Sequence, residues 1–264
     1  MNKMINDYLN ALHISHELDP YQKLIQVSES FSKIPYENLT KIIKNNLIKN
    51  PKKAKRLPGE VMSDHFQYGS GGTCFSLTQL YLEIVRGIGW QAEPILADRK
   101  YGLDTHCALL IWIEDRPYLL DPGYLITRPI PLDLKEETIF KTKFNNIILK
   151  PHKSKNKLDL WTEWNNNKTY RLTFKTDPVD GSQFNQVWEQ SFDWDMMQYP
   201  ILTRVNQEKQ LYLQKNRMQV RTFDQVKREE ISPEHLTQKL HQEFGLDQSL
   251  IHKAFQILNS KNHG

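Results

Sequence analysis

The hydrophobic spacing changes period at Gly87-Ile88-Gly89, and that change most constrains what this chain can fold into. Before it, apolar residues at 77, 80, 81, 84, 85 and 88 recur at helical spacing. After it, from Trp90 to about Phe174, the chain reads as short strands divided by polar turns: 92–97, 107–113, 118–120, 147–150, 158–164 and 170–174. Asn165-Asn166-Asn167 makes the turn between the last two. Residues 1–46 read as helical. Asp19-Pro20-Tyr21 opens one helix with an Asp cap and Pro at its first position, and Pro35 forces Ile34 extended and ends it. Downstream, 184–198 reads as helix and 201–223 as strands. Two helices follow, a capped one from Ser232 to Phe244 and one near 247–258. The expectation is an α+β chain with a helical domain (1–89), an antiparallel β domain (90–183) and an α/β tail (184–264).

The helix at 77–88 is preceded by Tyr68-Gly69-Ser70-Gly71-Gly72-Thr73-Cys74-Phe75, a glycine-rich loop ending in a cysteine. Cys74 thus falls on the first helical turn, where unpaired N–H groups and the positive end of the helix dipole stabilise a thiolate. The glycines let another chain or a ligand approach the sulfur without a Cβ in the way.

Two further residues complete a pattern. His106 begins the apolar run Cys107-Ala108-Leu109-Leu110-Ile111-Trp112-Ile113, which stops at the polar turn Glu114-Asp115-Arg116-Pro117. The next run, Tyr118-Leu119-Leu120, ends at Asp121-Pro122-Gly123. Paired as neighbouring strands, these place His106 and Asp121 at the ends remote from the turn. An imidazole there can take a thiol proton, and a carboxylate on its other nitrogen fixes the tautomer and steadies the cation. Cysteine at a helix start, then histidine and aspartate on successive strands, points to thiol catalysis.

Composition narrows the class. Six Trp, eleven Tyr and eleven Phe among 264 residues supply a packed core, and no run approaches the ~20 apolar residues of a membrane span. The first residues lack the apolar core of a secretory signal, and two cysteines make no disulfide framework, which suits a reducing cytoplasm. Cys107 alternates with His106 and reads as an inert buried thiol on the opposite strand face. No Cys/His spacing suggests a metal site. A net charge of +4 makes nucleic acid an unlikely partner. The basic runs Lys49–Arg56 and Lys141–Lys157 read as solvated loops, or as a rim attracting a phosphorylated cofactor such as coenzyme A.

The blocks Ile34-Pro35-Tyr36-Glu37-Asn38-Leu39, Gly71-Gly72-Thr73-Cys74-Phe75, Thr105-His106 and Leu120-Asp121-Pro122-Gly123-Tyr124 together resemble the arylamine N-acetyltransferases, in that family's order and at similar separations. The resemblance implies a cysteine-protease- or transglutaminase-like core with a barrel-like β domain and a C-terminal lid. It also implies catalysis by Cys74, His106 and Asp121, with acetyl-coenzyme A as donor substrate and no metal. The acceptor would be an arylamine, arylhydrazine or N-hydroxyarylamine lying against Tyr36 and Tyr124, where the family has phenylalanines. Gly72, Thr73 and Thr105 would surround the reacting carbonyl. Hydrolysis, amide transfer to a protein lysine, and a non-catalytic member are the alternatives. Two positions depart from the pattern: Ser70 stands where the family has arginine, and Ser76 where it has glutamate. Glu37 is therefore expected to lack its usual cationic partner.

Overall fold

The computed structural model describes residues 3–262. The first part is helical, with α1 (Lys3–Ala11), α2 (Pro20–Phe31), a two-residue strand β1 (Tyr36–Glu37), α3 (Leu39–Ile48), α4 (Pro51–Ala54), α5 (Pro58–Tyr68) and α6 (Cys74–Gly87). Asp19 caps α2 as its sequence predicts, accepting from the Tyr21 and Gln22 N–H groups at 3.0 Å. The run expected as a solvated basic loop instead contains α4 and α5. Asn50-Pro51 and Leu57-Pro58 start them, each with proline at the first helical position.

The middle of the chain is one eight-stranded antiparallel sheet. Its strands are β2 (Ala92–Arg99), β3 (Gly102–Ile113), β4 (Arg116–Asp121), β5 (Ile126–Pro131), β6 (Thr138–Lys141), β7 (Asn146–Pro151), β8 (Lys157–Trp164) and β9 (Asn167–Lys175), in the order β5-β4-β3-β2-β9-β8-β7-β6. Side chains from β2–β5 and β7–β9, among them Ile95, Ala108, Leu119, Ile130, Leu149, Leu160 and Phe174, share one apolar cluster, so the sheet is barrel-like. The alternate residues of β3, Cys107, Leu109 and Ile111, face α6 and join the larger core with Phe75, Leu80, Tyr81 and Ile84. Period two in the strand and period 3.6 in the helix thus meet along one seam. The β3–β4 hairpin pairs Ile113 with Arg116 beside its turn and Leu109 with Leu120 away from it, leaving His106 and Asp121 remote from the turn.

Residues 184–198, expected as one helix, divide. Helix α7 (Gly181–Gln190) starts earlier, with the Asp180 side chain accepting from Gln183 N–H at 2.8 Å, and only a single 3-10 turn (Asp195–Gln198) follows. Then come β10 (Ile201–Asn206), β11 (Lys209–Gln214), β12 (Arg217–Arg221), β13 (Val226–Glu230), α8 (Pro233–Phe244) and α9 (Gln248–Asn262). The second sheet runs β1-β10-β11-β12-β13, so a strand from the helical part forms its edge, Tyr36 pairing with Thr203. Leu39 of α3 is buried with Leu202, Leu213, Leu240 and Phe244 of the last part.

Two glycines of the cysteine loop are demanded by close backbone approach. A Cβ on Gly69, which ends α5 at φ +66°, would lie 2.2 Å from the Gly245 carbonyl oxygen. One on Gly71 would lie 1.8 Å from that of Pro35. The neighbour these glycines admit is the chain's own segment 34–37: Glu37 N–H donates to the Gly72 carbonyl at 3.0 Å.

Candidate active site

Cys74 is the first residue of α6, after Thr73 at the cap, and only 2% of its surface is exposed. His106 on β3 and Asp121 at the end of β4 are both fully buried, with His106 Nε2 2.7 Å from Asp121 Oδ2. The second carboxylate oxygen accepts from Tyr124 N–H at 3.1 Å, so Asp121 is held at both oxygens. The three side chains converge on Gly123. A Cβ there would lie 2.7 Å from His106 Cε1, 3.2 Å from Asp121 Oδ1 and 3.3 Å from Cys74 Cβ, so any side chain at 123 would part them. With Nε2 committed to Asp121, Nδ1 is the nitrogen left to face the thiol.

The electrostatics follow from these contacts. The Cys74 thiol is held well below the ordinary thiol range, first by a hydrogen bond from the Cys107 thiol, against the opposing effect of burial, and further by the hydrogen bond and charge of His106 and the charge of Arg99. For His106, burial presses the pKa down, and the Asp121 carboxylate more than reverses that. A lowered thiol beside a raised imidazole favours the thiolate–imidazolium pair. Cys107 is buried as expected but is not a bystander. Its sulfur lies 3.5 Å from Thr78 Oγ1, and burial with its donation to Cys74 raises its own pKa.

A cavity of about 1110 Å³ opens over this group, between the two sheets and the Phe192–Tyr199 segment. Tyr36, Thr105, Gly123 and Tyr124 line it; Gly72 and Thr73 do not. Tyr124 stands edge-on to His106, ring centres 5.1 Å apart. Thr105 turns its hydroxyl back to the Gly102 carbonyl at 3.0 Å. Tyr101, Tyr170, Tyr199 and Tyr212 add hydroxyl-bearing rings, and Arg99, Arg171 and Arg221 add charge. Sequence reasoning missed all of these except Tyr36 and Tyr124, because they come together only when the last sheet folds over the first.

A family model described as N-acetyltransferase matches residues 18–252. The chain belongs to that family. Solved structures of similar fold include the arylamine N-acetyltransferase of Mycobacterium abscessus (TM-score 0.81, 14% identity, covering 97% of this chain and 94% of that one). The Salmonella typhimurium enzyme gives 0.74 and 19% over 96% and 98%, and that of Mycobacterium marinum in complex with CoA gives 0.77 and 15% over 96% and 99%. Compared with curated proteins, the chain matches none. Acetyl-coenzyme A is the donor of these acetyltransferases. Among the described residues of this acetyltransferase, no group of side chains is arranged to hold a metal ion, and no helix is long and apolar enough to cross a membrane.

The expectation that Glu37 of this acetyltransferase lacks a cationic partner is overturned. Arg56, from the link between α4 and α5, is only 3% exposed and lies 3.7 Å from Glu37 Oε1. The same guanidinium donates to Thr40 Oγ1 at 2.6 Å, to Asp64 Oδ2 at 2.6 Å, and to the Gly71 carbonyl three residues before Cys74. Glu37 in turn accepts from Thr40 N–H at 2.9 Å at the start of α3. A cation therefore reaches the cysteine loop from a different point in the chain, while Ser70 is buried with its hydroxyl unpartnered. Ser76, at the other departure, bonds back to the Thr73 carbonyl at 3.1 Å. The sequence signal for Arg56 was an acid requiring a partner and one arginine closing a run of lysines just before a helix-starting proline.

Proposed function

We propose that this acetyltransferase works by a two-step, ping-pong route on Cys74, His106 and Asp121. The observation that carries the reading is the fully buried 2.7 Å His106–Asp121 pair meeting Cys74 at the start of α6. In the first half-reaction the Cys74 thiolate attacks the thioester carbonyl of acetyl-coenzyme A. The tetrahedral oxyanion meets backbone N–H groups at the start of α6 and near Thr105, and the carbon–sulfur bond to coenzyme A breaks as His106 returns a proton to the leaving thiolate. In the second, an amine attacks the acetyl-cysteine, His106 takes its proton, and Cys74 leaves as thiolate. The acceptor is an arylamine, arylhydrazine or N-hydroxyarylamine set between Tyr36 and Tyr124, in a pocket whose hydroxylated rings make it more polar than phenylalanines would. The non-catalytic alternative drew its support from a missing partner for Glu37, and Arg56 supplies one.

Intact-protein mass spectrometry tests the reading. Incubation with acetyl-coenzyme A should leave one acetyl group, absent in Cys74→Ser, that persists in water and is discharged by an arylamine. Rapid loss of the adduct to water would make the protein a thioester hydrolase, and failure to form it would remove the thiol mechanism.

A further inference from the structure

Arg99, the last residue of β2, brings a guanidinium to the reactive centre. One terminal nitrogen, NH2, lies 3.1 Å from His106 Nδ1, and the other, NH1, 2.9 Å from the Tyr101 hydroxyl and 3.2 Å from the Thr105 carbonyl. Its central carbon is 5.7 Å from the Tyr124 ring centre, and Tyr36 lies in the same electrostatic neighbourhood. Among the described residues no carboxylate stands within ion-pair distance of it. The acid beside it in sequence, Asp98, is bound elsewhere, 3.0 Å from Lys175 and 3.7 Å from Lys157.

A guanidinium only donates, so His106 Nδ1 accepts from Arg99 while the Nε2 proton faces Asp121. That arrangement cannot survive the chemistry. Once Nδ1 takes the proton of Cys74 or of an attacking amine, it becomes a donor on a cation and repels the guanidinium. Arg99 must then turn outward into the cavity, among the hydroxyls of Tyr36, Tyr101 and Tyr124, where a substrate anion can meet it in bidentate fashion.

We propose that Arg99 and these tyrosines form a carboxylate subsite beside Cys74, and that the acyl group this enzyme carries best is the half-thioester of a short dicarboxylic acid. The inference rests on the thiol-transfer reading above and deepens it. The acyl group fits this charge better than the acceptor does. It is tethered to the sulfur within the guanidinium's reach, and a carboxylate one or two carbons beyond the carbonyl stays paired through both half-reactions. An acceptor's carboxylate bound there would occupy the space beside Nδ1 that its own amine must enter. Acyl transfer is unchanged in kind: the thioester bond to coenzyme A breaks, the bond to Cys74 forms, and the distal carboxylate is a spectator.

The test is the rate of Cys74 acylation, read by intact mass, with malonyl-coenzyme A against acetoacetyl-coenzyme A, a neutral thioester of the same size, and with acetyl-coenzyme A as reference. The expected result is a malonyl rate at least about tenfold above the acetoacetyl rate, equivalent to ~1.4 kcal/mol. That ratio should fall towards one in Arg99→Met and be partly kept in Arg99→Lys. A ratio near one in the native protein, or a ratio that Arg99→Met leaves unchanged, overturns the subsite while leaving acetyl transfer standing. No adduct from any of the three thioesters overturns the thiol-transfer reading and this inference together.

Discussion

Replacing Arg56 by methionine removes a cation that four groups share. Glu37 is fully buried and keeps only its two hydrogen bonds from Thr40, while the Gly71 carbonyl loses its donor. Breaking a buried ion pair from one side costs about 3–5 kcal/mol, because the remaining charge stays desolvated and unpaired. The remaining Thr40 bonds offset part of this, so the expected loss is about 3 kcal/mol in urea unfolding monitored by fluorescence. The rate of Cys74 acylation should fall further than stability explains. Arg56 ties down a carbonyl three residues before the nucleophile, and a misplacement of about 1 Å can cost ~10²-fold. The double variant Arg56→Met/Glu37→Gln, which removes both charges, should recover much of the stability, giving a favourable coupling energy above ~1 kcal/mol. A loss under about 1 kcal/mol with unchanged acylation would refute the reasoning. It would mean that Glu37 is protonated or hydrated and that the relocated arginine only fills space.

Iodoacetamide should alkylate Cys74 much faster than Cys107, and the Cys74 rate should hold as pH is lowered below ~8.5, because its thiolate is lost only when pH falls through a depressed pKa; peptide mapping across pH reads both. Asp121→Asn keeps the size of the side chain but favours the wrong imidazole tautomer. Acylation measured by rapid quench should drop by up to ~10⁴ with the thermal unfolding temperature little changed. Lys41, buried with its ammonium 2.8 Å from the Ser191 carbonyl and against the Phe192 ring, has its pKa lowered to about 7, by burial first. The unfolded chain therefore binds more protons between pH 7 and about 10, so stability should rise with pH over that window, and Lys41→Met should flatten the rise in urea melts.

What escaped the sequence reading has a common physical character. The unforeseen β5, β6 and β13 include both edges of the large sheet and one edge of the small one. β5 holds Pro129 and Pro131, which an edge tolerates because one side needs no ladder hydrogen bonds. β6 has only four residues, and β13, Val-Lys-Arg-Glu-Glu, is charged, as exposed edges are. Edges carry little hydrophobic pattern, so periodicity cannot find them. The inner strands β2, β3, β4, β8 and β9, packed from the helix side and the barrel interior, were legible because burial writes their period into the residues.

The candidate site divides in the same way. The sequence by itself determined Cys74 at a helix start and His106 and Asp121 at matched ends of a hairpin. Local spacing dictates each of those positions, and motif resemblance ties them together. Only tertiary structure decided that Arg56 pairs with Glu37, that Cys107 donates to Cys74, and that Arg99 reaches His106. It also decided that the β10–β13 sheet faces the barrel to make a tyrosine- and arginine-lined cavity. These depend on how far a long side chain reaches and which way it leaves the backbone once separate elements dock. A guanidinium can satisfy one carboxylate from several points in a chain, so geometry, and not residue order, selects the one that does.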